Sequence, residues 1–357
     1  MSKAAELANL IGNINAGGGG ANKNIIINGN MSVAQRNVSV TGIGGSSGYF
    51  TCDRWLIAQS GDGRLTMTQD SSVPTGKGFA NSIKLDCTTA DTSIASSEFL
   101  QIVQKIEGQN LQSIGKGTSD AKPITVSFYV KANAAFNFVC ELNDLDNTRH
   151  ISKLFSTTTD WVKHEITFPA DTTGAFDNDN AASLNLTFWL HAGSTYSSGT
   201  LNTASFASRT DANRAAGVSS FYSSTDNNFF ITGVQLEVGQ NPTEFEHEPL
   251  ERTLAKCHRY FHRVGDAADS NGNSVLIGGY QPVAGDDYTS YVQHPVEMRA
   301  TPTSTISGTW TKVNSSDIKT AYVTTKGFTF FGTISGAGAW YLHANSTDDH
   351  VSFDAEL

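Results

Sequence analysis

Residues 229–245 read FFITGVQLEVGQNPTEF and constrain the fold more than any other stretch of the chain. Ile231, Val234, Leu236 and Val238 carry the apolar positions of a buried strand, Gly239 sets a tight turn, and a Pro-Thr exit follows. The apolar face changes side near Thr232-Gly233, as happens where a bulge inserts one extra residue. The segment reads as the closing strand of a β-sandwich.

The residues before it agree. Segments 24–28, 50–60, 64–69, 80–87, 98–107, 123–131, 135–142, 161–168, 184–191 and 227–238 are strand-like and are broken by turn clusters. In one, Ile124, Val126, Phe128 and Val130 share a face; in another, Val162, His164, Ile166 and Phe168 do. About ten strands with no helix between them predict a two-sheet antiparallel sandwich of jelly-roll type. Residues 174–226 form a long polar insertion interrupted at 184–191. Ahead of the sandwich, 2–14 reads as a short amphipathic helix with Leu7, Leu10, Ile11 and Ile14 on one face, followed by a glycine joint over 16–21. A second helix is expected over 249–261, with Leu250, Leu254, Cys257 and Phe261 in a stripe. Further strands are expected at 274–278, 290–294, 303–309, 321–325, 328–333, 340–344 and 350–353. The fold class is therefore mainly β. An N-terminal helix and linker (1–22) precede an antiparallel jelly-roll β-sandwich (23–246), a short connecting helix (247–262) and a small C-terminal β-domain (263–357). No repeat of solenoid length is present.

Composition narrows the function. Net charge is −10 and only 16% of residues are charged, so no basic stripe is available for nucleic-acid phosphates. Neutral glycans remain suitable, because hydroxyl hydrogen bonds and ring stacking hold them. Cys52, Cys87, Cys140 and Cys257 lie far apart without a CxxC pair, and read as buried free thiols of a protein folded in a reducing compartment. Met1-Ser2-Lys3 leads into a mixed helix rather than an apolar leader, and no apolar run reaches membrane-spanning length, so neither secretion by a leader nor membrane insertion is expected.

Several motifs occur in a fixed order. NIIINGNMSVAQR (24–36), TCDRW (51–55), GVQLEVG…P…FE within 233–246, LAKCHRYF (254–261) and PVEMRATP (295–302) resemble, in that order, segments of β-sandwich proteins in bacteriophage tail fibres and virion appendages. The resemblance covers roughly residues 24–302 and implies a non-enzymatic virion structural protein. It implies a homotrimer, docked to a tail or head protein through Leu7, Leu10, Ile11 and Ile14. The far end would bind a host surface glycan or protein, and the assembled virion would leave the cell by lysis. Two other readings are a decoration or connector protein without a receptor role, and a carbohydrate-binding module.

Chemistry-bearing patterns are sparse. Gly44–Gly48 matches GxSxG, but a strand follows the serine where a nucleophile elbow needs a helix. Glu98, Asp144, Glu237 and Glu246 show no spacing that singles out a hydrolytic pair, so no catalytic residue is expected. No motif calls for a cofactor. The oxygen-rich Asp177-Asn178-Asp179-Asn180 turn would suit Ca²⁺, with Asp177 and Asp179 as ligands, and 143–146 is a second such cluster. His258 and His262 stand four apart without an HExxH, and His343 and His350 flank a turn. Trp55 reads as core, beside Asp53-Arg54. In the C-terminal domain Tyr280, Tyr288, Tyr291, Trp310, Trp340 and Tyr341 lie near polar turns, where projecting rings offer flat faces to sugars. Tyr288, Tyr291 and Trp340 are the leading receptor-contact residues.

Overall fold

The computed structural model describes Lys3 and residues 23–265, 274–346 and 348–357. The expected docking residues Leu7, Leu10, Ile11 and Ile14, and the glycine joint, lie outside the described residues. The chain divides into two compact units, residues 1–253 and 254–357.

The first unit is a β-sandwich. Its strands are β1 (Ser39–Ile43), β2 (Gly48–Tyr49), β3 (Leu56–Ser60), β4 (Arg64–Asp70), β5 (Ser82–Thr89), β6 (Phe99–Glu107), β7 (Ile124–Ala132), β8 (Asn137–Asp144), β9 (Arg149–Ser156), β10 (Val162–Phe168), β11 (Ala182–Ala192), β12 (Ala207–Ser208) and β13 (Asn228–Val238). One sheet runs β1-β4-β5-β13-β7-β10 and the other β12-β9-β8-β11-β6-β3-β2. Hairpins β2–β3, β4–β5 and β8–β9 and the long β11–β12 connection stay within one sheet. Every other connection crosses between the sheets, the to-and-fro of a jelly roll. Inward side chains of both sheets, among them Leu85, Phe128, Phe138, Phe188 and Ile231, form one continuous core. Phe128 meets Phe188 edge-on at 4.9 Å.

The closing strand behaves as its sequence requires. The β13–β7 register shifts between Thr232 and Gln235. Gly233 sits at φ 62°, where a Cβ would also lie 2.5 Å from the Phe79 ring. Upstream of this bulge β13 pairs with β5. Downstream, residues 24–29 lie beside it instead. There the expected strand over 24–28 is corrected to an irregular segment. Ile25 N donates to Leu236 O at 2.9 Å. Asn24 Oδ1, rather than a main-chain carbonyl, accepts the Leu236 N–H at 3.1 Å, and Asn28 at φ 58° turns the chain away.

A helix spans Leu250–His258. It is shorter than expected, because Phe261 already belongs to a strand, and Leu250 is exposed, so the anticipated stripe does not form one buried face. The second unit holds β14 (Phe261–Gly265), β15 (Ser274–Gln281), β16 (Asp287–Gln293), β17 (Thr303–Ser307), β18 (Thr311–Val313), β19 (Lys319–Ala321), β20 (Gly327–Thr333), β21 (Gly338–Ala344) and β22 (His350–Asp354). They make three sheets, β14-β22-β17, β15-β21-β18 and β16-β20-β19. Met298, Trp310, Phe328, Phe330 and Phe353 fill one cluster, and Tyr288, Ile334, Trp340 and Leu342 another. The strand expected over 321–325 ends at Ala321, since Tyr322 takes φ 50° and breaks the ladder. All four cysteines are free and buried. Among the described residues no helix is long and apolar enough to cross a membrane.

Candidate functional site

The ordered motifs meet in the sandwich as structure. Asn28 donates its amide to Val33 O and Asp53 O at 2.8 and 3.0 Å. Trp55 Nε1 donates to Asn28 O at 3.0 Å. Asp53 accepts from Gln35 N at 2.9 Å and from the Gln35 side chain, while Arg54 donates to Lys105 O at 2.7 Å. Glu237 accepts from Thr243 N at 2.6 Å and from Gln235 Nε2 at 2.6 Å. Glu246 accepts the Asn24 N–H at 3.0 Å. These groups tie the start of the sandwich to its last strand and its exit, and Trp55 is core as its strand context implies.

The acidic residues weighed for hydrolysis are likewise engaged in the interior. Glu98 is buried, and burial first, with the nearby Asp91 carboxyl adding to it, raises its pKa above the ordinary carboxylate range. Around the pair, Asp91 Oδ2, Glu98 Oε2, Gln59 Nε2 and His191 Nε2 are buried without hydrogen-bond partners among the described residues.

Part of the outer face of the seven-stranded sheet is covered by its own insertion. Buried Glu141 on β8 accepts from Arg214 Nε at 2.8 Å and Nη2 at 2.9 Å, and from Trp189 Nε1 at 2.8 Å. His150 Nδ1 lies 3.2 Å from the same carboxylate. Burial would raise the Glu141 pKa; Arg214, His150 and Trp189 outweigh that and hold it below the ordinary carboxylate range. Arg214 also lies over the Trp189 ring at 4.9 Å. Val139, Trp189 and Ala215 share a small apolar cluster with Tyr196, Leu201 and Val218. Trp189 is thus shut inside.

Open aromatic surface lies in the second unit. Among the described residues, the exposed large aromatics are Tyr280 (73%), Tyr291 (57%), Tyr322 (79%) and Tyr341 (36%), all within 254–357. Of the three leading residues, only Tyr291 offers an open ring. Tyr288 and Trp340 are 2% and 6% exposed and stack on each other with centroids 4.0 Å apart. Tyr288 Oη donates to Asp317 O at 3.2 Å. The expectation that these two project from loops is corrected: both stand on strands, on the inner faces of β16 and β21, where burial of a large ring outweighs its polar tip. Trp310 is also buried and donates to Ser307 O at 2.9 Å.

Strand alternation then places Tyr341 on the opposite face of β21 from Trp340. Tyr341 pairs with Gly278 on β15 and Val313 on β18, and Tyr280 pairs with Ala339. Tyr280 and Tyr341 are therefore diagonal cross-strand neighbours on one outer face, a relation that keeps residues about 7–8 Å apart. His343 continues the row, its ring 5.5 Å from Tyr341. Gly278 leaves the main chain bare between the tyrosines, because a Cβ there would lie 2.9 Å from Trp340 O and 3.0 Å from Tyr341 Cβ. The result is a flat, uncharged platform of two rings and a peptide. On the other outer face Tyr291 stands opposite Thr329. Sequence reasoning ranked Tyr341 behind Trp340 and passed over Tyr322; the alternation at Trp340-Tyr341 was the signal that one ring of the two must face outward.

The calcium candidates Asp177 and Asp179 are exposed. Asp177 N donates to Asp146 Oδ2 at 2.9 Å, and Asp179 Oδ1 accepts the Ala181 N–H at 2.9 Å. Among the described residues no group of three or more His, Cys, Asp or Glu side chains is arranged to hold a metal ion. His262 and His294 pair instead through a 2.8 Å hydrogen bond.

No protein-family model matches the chain, and no curated protein matches it. Among solved structures it is similar to the enzymatically active domain of tailspike protein 4 of bacteriophage CBA120, at 12% identity and TM-score 0.34. That match covers 60% of this chain and 21% of the other, so the chain spans well under half of that domain. It is also similar to the family 11 carbohydrate-binding module of a cellulosomal cellulase from Clostridium thermocellum, at 12% identity and TM-score 0.29, covering 57% of this chain and 95% of the module. A family 61 module in complex with β-1,4-galactotriose is 10% identical at TM-score 0.32, covering 60% and 98%.

Proposed function

We propose that this chain is a bacteriophage tail-fibre or virion-appendage protein that binds a host surface glycan through the outer tyrosine faces of residues 254–357. The observation that carries the glycan part is the distribution of aromatic rings: the sandwich buries Trp55 and Trp189 and half-buries Trp161, while Tyr280 and Tyr341 stand open on an uncharged sheet face. Flat rings beside main-chain and imidazole polar groups suit stacking with hydroxyl recognition. The appendage part rests on the ordered motifs, whose residues tie the two ends of the sandwich together. In this reading the protein is a homotrimer, docks to the virion by its first residues, has no catalytic role and reaches the medium by lysis. Adsorption of the fluorescently labelled full chain to host cells tests it. Saturable binding that is lost after periodate oxidation of the cells is expected. Binding that survives periodate but not protease would replace the glycan with a protein receptor, and absence of adsorption to every host of the phage would leave the decoration role.

A further inference from the structure

The side chain of Lys116 is 2% exposed. Its Nζ stands 2.6 Å from Asp144 Oδ2 and 3.2 Å from Asp171 Oδ2. It also donates to Thr173 O at 2.8 Å and Gly174 O at 2.7 Å. The Phe176 ring closes one side, its centroid 5.1 Å away. Four oxygens from the end of β8 and the 171–174 turn thus converge on one ammonium. Two are main-chain carbonyls, which can only accept. Asp171 also takes a two-pronged bond from Arg149, at 2.9 and 3.0 Å. Burial would raise its carboxyl; Arg149, the Thr173 amide and Lys116 hold it below the ordinary range. Asp144 is fixed from its other side by Asn147, whose N–H donates to Oδ1 at 3.0 Å.

Two carboxylates and two carbonyls around one cation make an oxygen set that hard metal ions favour. We propose that Lys116 is the resident cation of this cage, so that the sandwich needs no metal, and that the cage vacated by Lys116 takes a hard oxygen-seeking ion, with Ca²⁺ as the probe. The formal charges of Lys116, Arg149, Asp144 and Asp171 cancel. Removing Lys116 leaves one buried negative charge uncompensated, which destabilises strongly. A bound Ca²⁺ would change that net −1 to +1, give both carboxylates a cationic partner again, and stabilise by mass action.

Thermal unfolding of the full-length protein in EDTA and in millimolar Ca²⁺ tests this. The native chain is expected to melt at the same temperature in both. Lys116→Ala is expected to melt several degrees lower in EDTA and to recover most of the loss in Ca²⁺. The double variant Lys116→Ala/Asp171→Asn, which lacks one cage carboxylate, is expected not to recover. A native chain stabilised by Ca²⁺ would overturn the proposal, as would a Lys116→Ala protein that is unaffected or that Ca²⁺ fails to restore. Should Lys116→Ala not fold, Asp144→Asn in the otherwise native chain decides. A lowered melting point insensitive to Ca²⁺ supports the cage, and an unchanged one contradicts it.

Discussion

Glu141 keeps its charge in the interior because Arg214, Trp189 and His150 all reach it. Truncating Arg214 leaves that carboxylate buried without its main partner. Arg214→Ala should therefore lose about 3–5 kcal/mol in urea unfolding. Two other residues set opposite pH dependences. Burial first, and then His294 and His258, push the His262 pKa down to about 3. In the unfolded chain it titrates near pH 6.5. The stability it contributes is full above that value and is lost as pH falls from about 6.5 toward 3. His262→Phe, placed against Phe353 where the native ring stacks at 5.0 Å, should flatten that acid limb in thermal unfolding followed across the window. Glu98 has the other sign. Burial, and then Asp91, raise its pKa. Its contribution is full below the unfolded value of about 4.3 and is lost as pH rises through the folded one. Glu98→Gln should gain stability relative to the native chain as pH rises above about 4.3 through the raised folded value. A constant difference between the two proteins over that range would contradict this.

At the scale of elements, the bulge in β13 hands one strand from β5 to residues 24–29, and Gly233 permits it. Gly233→Ala meets both the left-handed backbone and the Phe79 ring, and should destabilise by about 1–3 kcal/mol. Periodicity made most strands readable, because half-buried strands alternate. The exceptions have physical reasons. β9, RHISKLFS, mixes charged and apolar residues because His150, on the outer face, is buried against Glu141 beneath the insertion, so its pattern blurs. Residues 24–28 look like a strand but use an asparagine side chain in place of a ladder carbonyl. The misplaced rings follow one rule. Alternation at Trp340-Tyr341 says that one ring faces in, but not which, until the stacking partner Tyr288 is known. The Lys116 cage and the Glu98–Asp91 pair were illegible for a different reason. Their members are distant in sequence or lie in separate turns, and only the sandwich brings them together.

At the scale of the molecule, the two units carry different kinds of surface. The sandwich covers part of its own sheet face with residues 193–220 and holds Glu141 and Lys116 in charged networks, while Asp91 Oδ2 and Glu98 Oε2 stay buried without hydrogen-bond partners among the described residues. The second unit buries Tyr288, Trp310 and Trp340 but leaves Tyr280, Tyr291, Tyr322 and Tyr341 exposed. The proposed glycan contact predicts adsorption that depends little on salt, since its platform is uncharged, and strongly on two rings. The most direct measurement is host-cell adsorption of the labelled full chain beside Tyr280→Ser/Tyr341→Ser, with circular dichroism confirming that both are folded. The account predicts that the double variant loses adsorption at least tenfold, which is about 1.4 kcal/mol, while its melting temperature stays near that of the native chain. Equal adsorption by the two folded proteins would contradict it and move the contact surface away from this face.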